Sequence, residues 1–168
     1  EYVSWFTEEK GIQWWIESEN EDAQIITTAQ QILEVLGLNM DVAPEGAENE
    51  SFHVESTPSQ ETEELVIAET LFTLDGVNYS YRTAATIEIK EDFADISGLD
   101  KEYQCSSQVK VGWCSARLYY NPGEDGKIVW FNIAPGLLYS LSMDNGASEE
   151  TLINMAEELY NPAQKDVP

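Results

Sequence analysis

The groups from which this 168-residue chain could build chemistry are few apart from its acids. They are two cysteines (Cys105 and Cys114), one histidine (His53), two arginines (Arg82 and Arg117) and 32 carboxylates. The cysteines stand in Cys105-Ser-Ser-Gln-Val-Lys-Val-Gly-Trp-Cys114. Zinc draws a full ligand set from Cys, His and carboxylate, and this pair with a distant His53 does not assemble one, so no metal site is expected. A redox pair would read Cys-x-x-Cys, which is absent. A hairpin turning between Val109 and Lys110 would set Cys105 opposite Cys114, within disulfide reach. The expectation is a structural disulfide, with two free buried thiols as the alternative.

Nucleophilic catalysis needs a base beside the nucleophile. His53 alternates with Phe52 and Val54 as a strand residue does, and no Gly-x-Ser-x-Gly elbow accompanies it. Glycoside hydrolysis needs only two carboxylates at the right separation, but among 32 acids some pair always qualifies, so their presence does not discriminate. Asp144-Asn145-Gly146 and Glu124-Asp125-Gly126 are oxygen-rich, yet neither continues as a calcium-binding loop, and ordinary turn chemistry accounts for both. There is no glycine loop for phosphate and no dinucleotide fingerprint, so no cofactor is expected.

Recognition is the remaining chemistry. Trp14-Trp15 and the alternating Tyr79-Ser-Tyr81 could offer stacking surfaces to sugars or peptides, or pack the first segment onto the domain. Trp113, Trp130 and Phe131 read as core strand residues. Arg82 and Arg117 sit in strand-like sequence within an acidic chain. Each either holds carboxylates in place or receives an anionic ligand group bidentately. Alternation puts Tyr79, Tyr81 and Thr83 on one face of a strand and Asn78, Ser80 and Arg82 on the other, less apolar one. That second face is expected to be open, with Arg82 as its positive point.

Charge decides which partners are excluded. Eight Lys+Arg against 32 Asp+Glu leave a net charge of −24 and a pI near 4.1. Sequence-independent binding of nucleic acid or of anionic membrane requires clustered cations, and these are lacking. Residues 1–81 carry a net −17 with Lys10 as their one base; residues 82–168 carry −7. Mean hydropathy is −0.35, and no apolar run approaches the length of a spanning helix. Because the first residue is Glu1, a processed chain is expected, with any signal peptide or lipid-attachment cysteine upstream.

The elements that must position these residues follow from periodicity. Residues 1–21 form an aromatic and acidic N-terminal segment, read as a hairpin about Lys10-Gly11 or a partly ordered lead-in. Ile25, Ala29, Ile32 and Leu36 recur at helical spacing between Asp22 and Gly37, predicting a helix over 23–36. A short strand is expected at Ser51–Glu55. Two alternating apolar runs, from Leu65 to Leu74 and from Val77 to Ile87, flank Asp75-Gly76, a strong hairpin signal. Further strands are expected at 104–110, 112–120, 127–133 and 137–143, and a final helix at 149–160 begins from Ser148. This order predicts one α+β domain over 22–162 with a tail at 163–168. Its core is a curved antiparallel sheet of about five to seven strands, with both helices packed on one face.

Four stretches together carry a family resemblance: Leu71-Phe-Thr-Leu-Asp-Gly-Val-Asn-Tyr-Ser-Tyr-Arg-Thr-Ala84; Ala94-Asp-Ile-Ser-Gly98; Val129-Trp-Phe-Asn-Ile-Ala-Pro-Gly-Leu-Leu-Tyr-Ser-Leu-Ser142; and a helix with Leu152 and Ala156. Over residues 22–160 the chain resembles secreted lipoprotein-like domains of unknown function from anaerobic Gram-positive bacteria. The resemblance implies export, attachment to the bacterial surface through an upstream lipidated cysteine, and a small α+β domain. It supplies no catalytic residues. The expected function is a monomeric, non-catalytic binding or interaction module of the cell envelope, recognising a protein, peptide or glycan. A carboxylate-based glycan-acting enzyme is the alternative.

Overall fold

The computed structural model describes residues 2–7, 12–17, 43–57, 65–85, 95–132 and 137–160. The predicted helix over 23–36 lies outside the described residues. Strand signals dominate what remains. Strands β1 (Tyr2–Thr7) and β2 (Ile12–Glu17) pair antiparallel, with Trp5 opposite Trp14. Then come β3 (Glu48–Thr57), β4 (Leu65–Leu74) and β5 (Val77–Ala85). They are followed by β6 (Cys105–Val111), β7 (Cys114–Tyr120), β8 (Gly126–Asn132) and β9 (Leu137–Met143). One helix, α1 (Glu149–Leu159), ends the described chain.

These strands form a single sheet in the order β1-β2-β3-β4-β5-β9-β8-β7-β6. From β3 to β6 across the sheet every pairing is antiparallel, as alternating strands joined by short turns require. The sheet is wider than the five to seven strands expected, because the β1–β2 hairpin extends it through a parallel β2–β3 pair. Asp75 and Gly76 both take positive φ, 52° and 78°, which is the turn that matches the twist of β4 and β5.

Alternation gives the sheet two distinct faces. On the first, Phe52, Phe72, Tyr81, Ile128, Trp130 and Leu141 join neighbouring apolar side chains in the main core. Helix α1 covers β6 to β9 there, burying Leu152, Met155, Ala156 and Leu159. Its start is fixed by a capping box: Ser148 Oγ accepts from Thr151 N at 3.1 Å, and Ser148 N donates to Thr151 Oγ1 at 2.9 Å. Gly126 lets helix and sheet approach closely, since a Cβ there would lie 2.9 Å from Leu152 Cδ1 and 2.7 Å from Tyr120 Cβ. Tyr160, just past the helix, inserts edge-on against Trp130 and Tyr139.

The second face is not the open surface expected from its polar alternation. Ile67, Ala84, Phe131 and Leu138 form a second apolar cluster with Ile96, which comes from the chain between β5 and β6. Residues 95–103 thus strap this face near β8. Trp113 also departs from expectation: it occupies the β6–β7 turn and is 59% exposed rather than core.

Candidate functional site

The site is built where the strap crosses β7 and β8. Residues 98–103 together with Asp95, Ser106, Tyr119 and Lys127 line an open depression of about 740 Å³. Lys127 lies at its base and is only 5% exposed, an unfavourable place for an ammonium unless every proton is satisfied. Each is. Nζ donates to Asp95 Oδ2 at 2.5 Å, to Leu99 O at 2.6 Å and to Ser97 Oγ at 3.2 Å. The rings of Tyr103 and Tyr119 stand 5.6 and 5.7 Å from the same nitrogen, each adding cation–π attraction.

The strap's own sequence explains its shape. Asp95 Oδ1 accepts from Ser97 N at 2.9 Å, and Ser97 Oγ accepts from Leu99 N at 3.2 Å, so two consecutive side-chain turns fold Asp95-Ile-Ser-Gly98. Ile96 then points into the second apolar cluster. Gly98 takes φ +69°, and a Cβ there would come within 2.8 Å of Arg82 Nη1. Arg82 fastens the strap from its other side. Nε donates to Glu69 Oε1 at 2.8 Å and Nη1 to Ile96 O at 3.3 Å, while Ser80 Oγ also donates to Glu69.

Electrostatics favour the ionised form of Asp95 and of Asp125. Burial alone would raise the Asp95 carboxyl, but the bonds from Lys127 and Ser97 outweigh it and keep the carboxyl below its ordinary range. Asp125, paired with the lining residue Lys101, is likewise lowered by that ion pair against slight burial, with Asn121 assisting. Tyr103 moves the other way, pushed up to about 12 by burial and then by Asp125 and Asp95. Its hydroxyl is buried with no hydrogen-bond partner among the described residues. The arrangement is a charged, tyrosine-walled depression in which the Asp95 carboxylate is held as a hydrogen-bond acceptor.

The residues singled out by sequence do not converge on it. Arg82 is engaged with Glu69, a carboxylate on the adjacent strand, under the strap. Arg117 is half-buried on β7 opposite Val129 and Gln108. Tyr81 is buried in the main core, and Tyr79 stacks on Phe72 with ring centroids 5.0 Å apart. Trp14 and Trp15 lie on β2 opposite Phe52 and His53; the side chains of Trp14, Trp15 and His53 are outside the described residues. Asp144 caps the neighbouring hairpin, accepting from Asn78 N at 2.9 Å and from Asn78 Nδ2 at 2.7 Å, which is turn chemistry. No group of His, Cys, Asp or Glu side chains suited to a metal ion occurs among the described residues.

The expected Cys105–Cys114 disulfide is not formed, and neither described cysteine is disulfide-bonded. The turn lies at Gly112-Trp113, not at Val109-Lys110, because Gly112 at φ +56° supplies the conformation a two-residue turn needs at its first position. Cys114 therefore opposes Val111 and Cys105 opposes Tyr120, at opposite ends of the hairpin. Six residues of strand at about 3.3 Å each put them roughly 20 Å apart, far beyond bridging distance. Cys114 is buried, with Sγ 3.3 Å from Tyr160 Oη.

Lys127, Tyr103 and Tyr119 were not singled out by sequence. A lysine opening a strand reads as solvated, and the signal that could have flagged it was Asp95-Ile-Ser-Gly98, a turn-forming acid lacking an obvious cation. Comparison with known protein families, characterised proteins and solved structures finds no match to this chain.

Proposed function

We propose that this protein is a non-catalytic recognition module of the bacterial cell envelope, and that the depression over Lys127 binds a short glycan. The observation that carries the reading is the saturation of Lys127: with three acceptors and two rings fixed around it, the ammonium organises the walls and is not available as an acid, base or nucleophile. A glycosidase needs one carboxyl raised so that it can donate a proton, whereas Asp95 in the lining is lowered. Sugars favour open sites with aromatic walls and ionised acceptors for their hydroxyls. Tyr103, Tyr119 and the carboxylates of the rim supply these. The Tyr103 hydroxyl is the further group a ligand hydroxyl could satisfy after a small side-chain shift.

Location on the cell surface rests on the resemblance of the sequence and on its acidity; the unbridged cysteines withdraw the support a disulfide would have lent. Glycan-array binding of wild type and Tyr119→Ala tests the recognition reading. Wild type should retain one class of envelope glycan, and the variant should lose it while still unfolding in one cooperative transition, at a midpoint lowered by the lost Tyr119 ring contacts. Retention undiminished in Tyr119→Ala, or no retained glycan, contradicts the reading.

A further inference from the structure

We infer that the outer edge of β6 is a docking strand for an extended, lysine- or arginine-bearing peptide segment, which adds to the sheet as a further strand. In the strand order β6 is last, and among the described residues no strand pairs with its outer side. The two-residue turn makes Val111–Cys114 a hydrogen-bonded pair, so bonding alternates back along the hairpin. Val109, Ser107 and Cys105 spend their backbone groups on β7. Lys110, Gln108 and Ser106 direct theirs outward, and these three residues are exposed. Natural sheets protect such an edge with proline, bulges or repeated lysines. Here the β6–β7 ladder runs without a register shift, no proline occurs in β6, and Lys110 is its one charge.

Charge selects the occupant. Helix carboxylates flank both halves of the strand: Ser107 Oγ donates to Glu149 Oε2 at 3.2 Å, and Gly112 N lies 3.4 Å from Glu157 Oε1. Glu102 is exposed just before the strand begins. A second copy of the chain would bring another −24 to this edge and be repelled, whereas a basic strand is attracted and registered by the same acids. Main-chain bonding supplies affinity and the flanking charge supplies selection.

The test uses the whole protein and three short capped peptides: alternating lysine and threonine, the same with glutamate for lysine, and the lysine peptide N-methylated on alternate residues. Fluorescence anisotropy at low salt should show the lysine peptide binding and the glutamate peptide not binding. N-methylation should weaken binding by at least about tenfold, since it deletes several strand-to-strand bonds while keeping the charge. Gln108→Pro should do the same, because it removes an outward N–H that the β6–β7 ladder does not use. Equal binding of methylated and unmethylated peptides, no binding of the lysine peptide, or a wild-type dimer that Gln108→Pro dissociates would each overturn the proposal. Should Gln108→Pro fail to fold, the peptide comparison on wild type still decides it.

Discussion

Lys127→Met removes the ammonium that ties the strap to β8 while keeping an unbranched apolar stem. Leu99 O loses a bond in a partly buried setting, which costs about 1 kcal/mol. The Asp95 pair is discounted because that carboxylate is 39% exposed and recovers water, leaving about 1 kcal/mol. Losing the ammonium beside the two rings removes about 0.5–1 kcal/mol more, partly returned by sulfur–aromatic contact. The expected loss is therefore about 2 kcal/mol, read from urea unfolding followed by tryptophan fluorescence. The loss should also depend on pH with a fixed sign. Asp95 is lowered from an ordinary value of 3.8, so its pairing energy is complete above that pH and disappears as the pH falls through the lower folded value. The gap between wild type and variant should narrow by about 1 kcal/mol in that acidic window, and Lys127→Met combined with Asp95→Asn should lose less than the sum of the two single changes. A loss under about 0.5 kcal/mol at neutral pH, or additivity in the cycle, would refute the role given to Lys127.

Gly126→Ala forces a methyl to within 3 Å of Ala147, Tyr120 and Leu152, so it should cost about 2 kcal/mol or more in the same assay. Ser148→Ala deletes the helix cap and should cost about 1 kcal/mol, whereas Ser148→Asp should be close to neutral. Thiol titration in denaturant without reductant should find both Cys105 and Cys114 reactive, and reductant should leave the unfolding midpoint unchanged; a titre near zero would restore the disulfide. Gly98→Ala combines a positive φ with a clash against Arg82 and should loosen the strap, seen as faster amide exchange over 95–99 at a cost of about 1–2 kcal/mol.

What the sequence made legible was local. Asp75-Gly76 announced the β4–β5 hairpin because both residues tolerate positive φ, and Ser148 with two following acids announced α1. β4 and β5 follow from apolar alternation, while β8 and β9, buried on both faces, are short apolar runs between turns, which is what puts Trp130 in the core. Non-local arrangement was not legible. The alternation at Asn78, Ser80 and Arg82 could not reveal that a strap from residues 95–103 covers that face, because Ile96 alone carries its apolar anchor. The turn at Gly112-Trp113 was misplaced because Val109-Lys110-Val111 continues a plausible strand, and one glycine decided the register and so the fate of both cysteines. Lys127 was hidden for the same reason: its partners arrive from a connection some 30 positions earlier.

The central claim is recognition without catalysis at the depression over Lys127, and amide chemical-shift mapping of the ¹⁵N-labelled protein tests it most directly. A soluble β-1,4-linked N-acetylglucosamine oligomer serves as the probe. Shifts should concentrate at 97–103, Ser106, Tyr119 and Lys127, saturate with added oligomer, and leave the oligomer's own anomeric signals unchanged after prolonged incubation. Cleavage of the oligomer, saturable shifts centred elsewhere on the sheet, or no shifts at all would contradict the account.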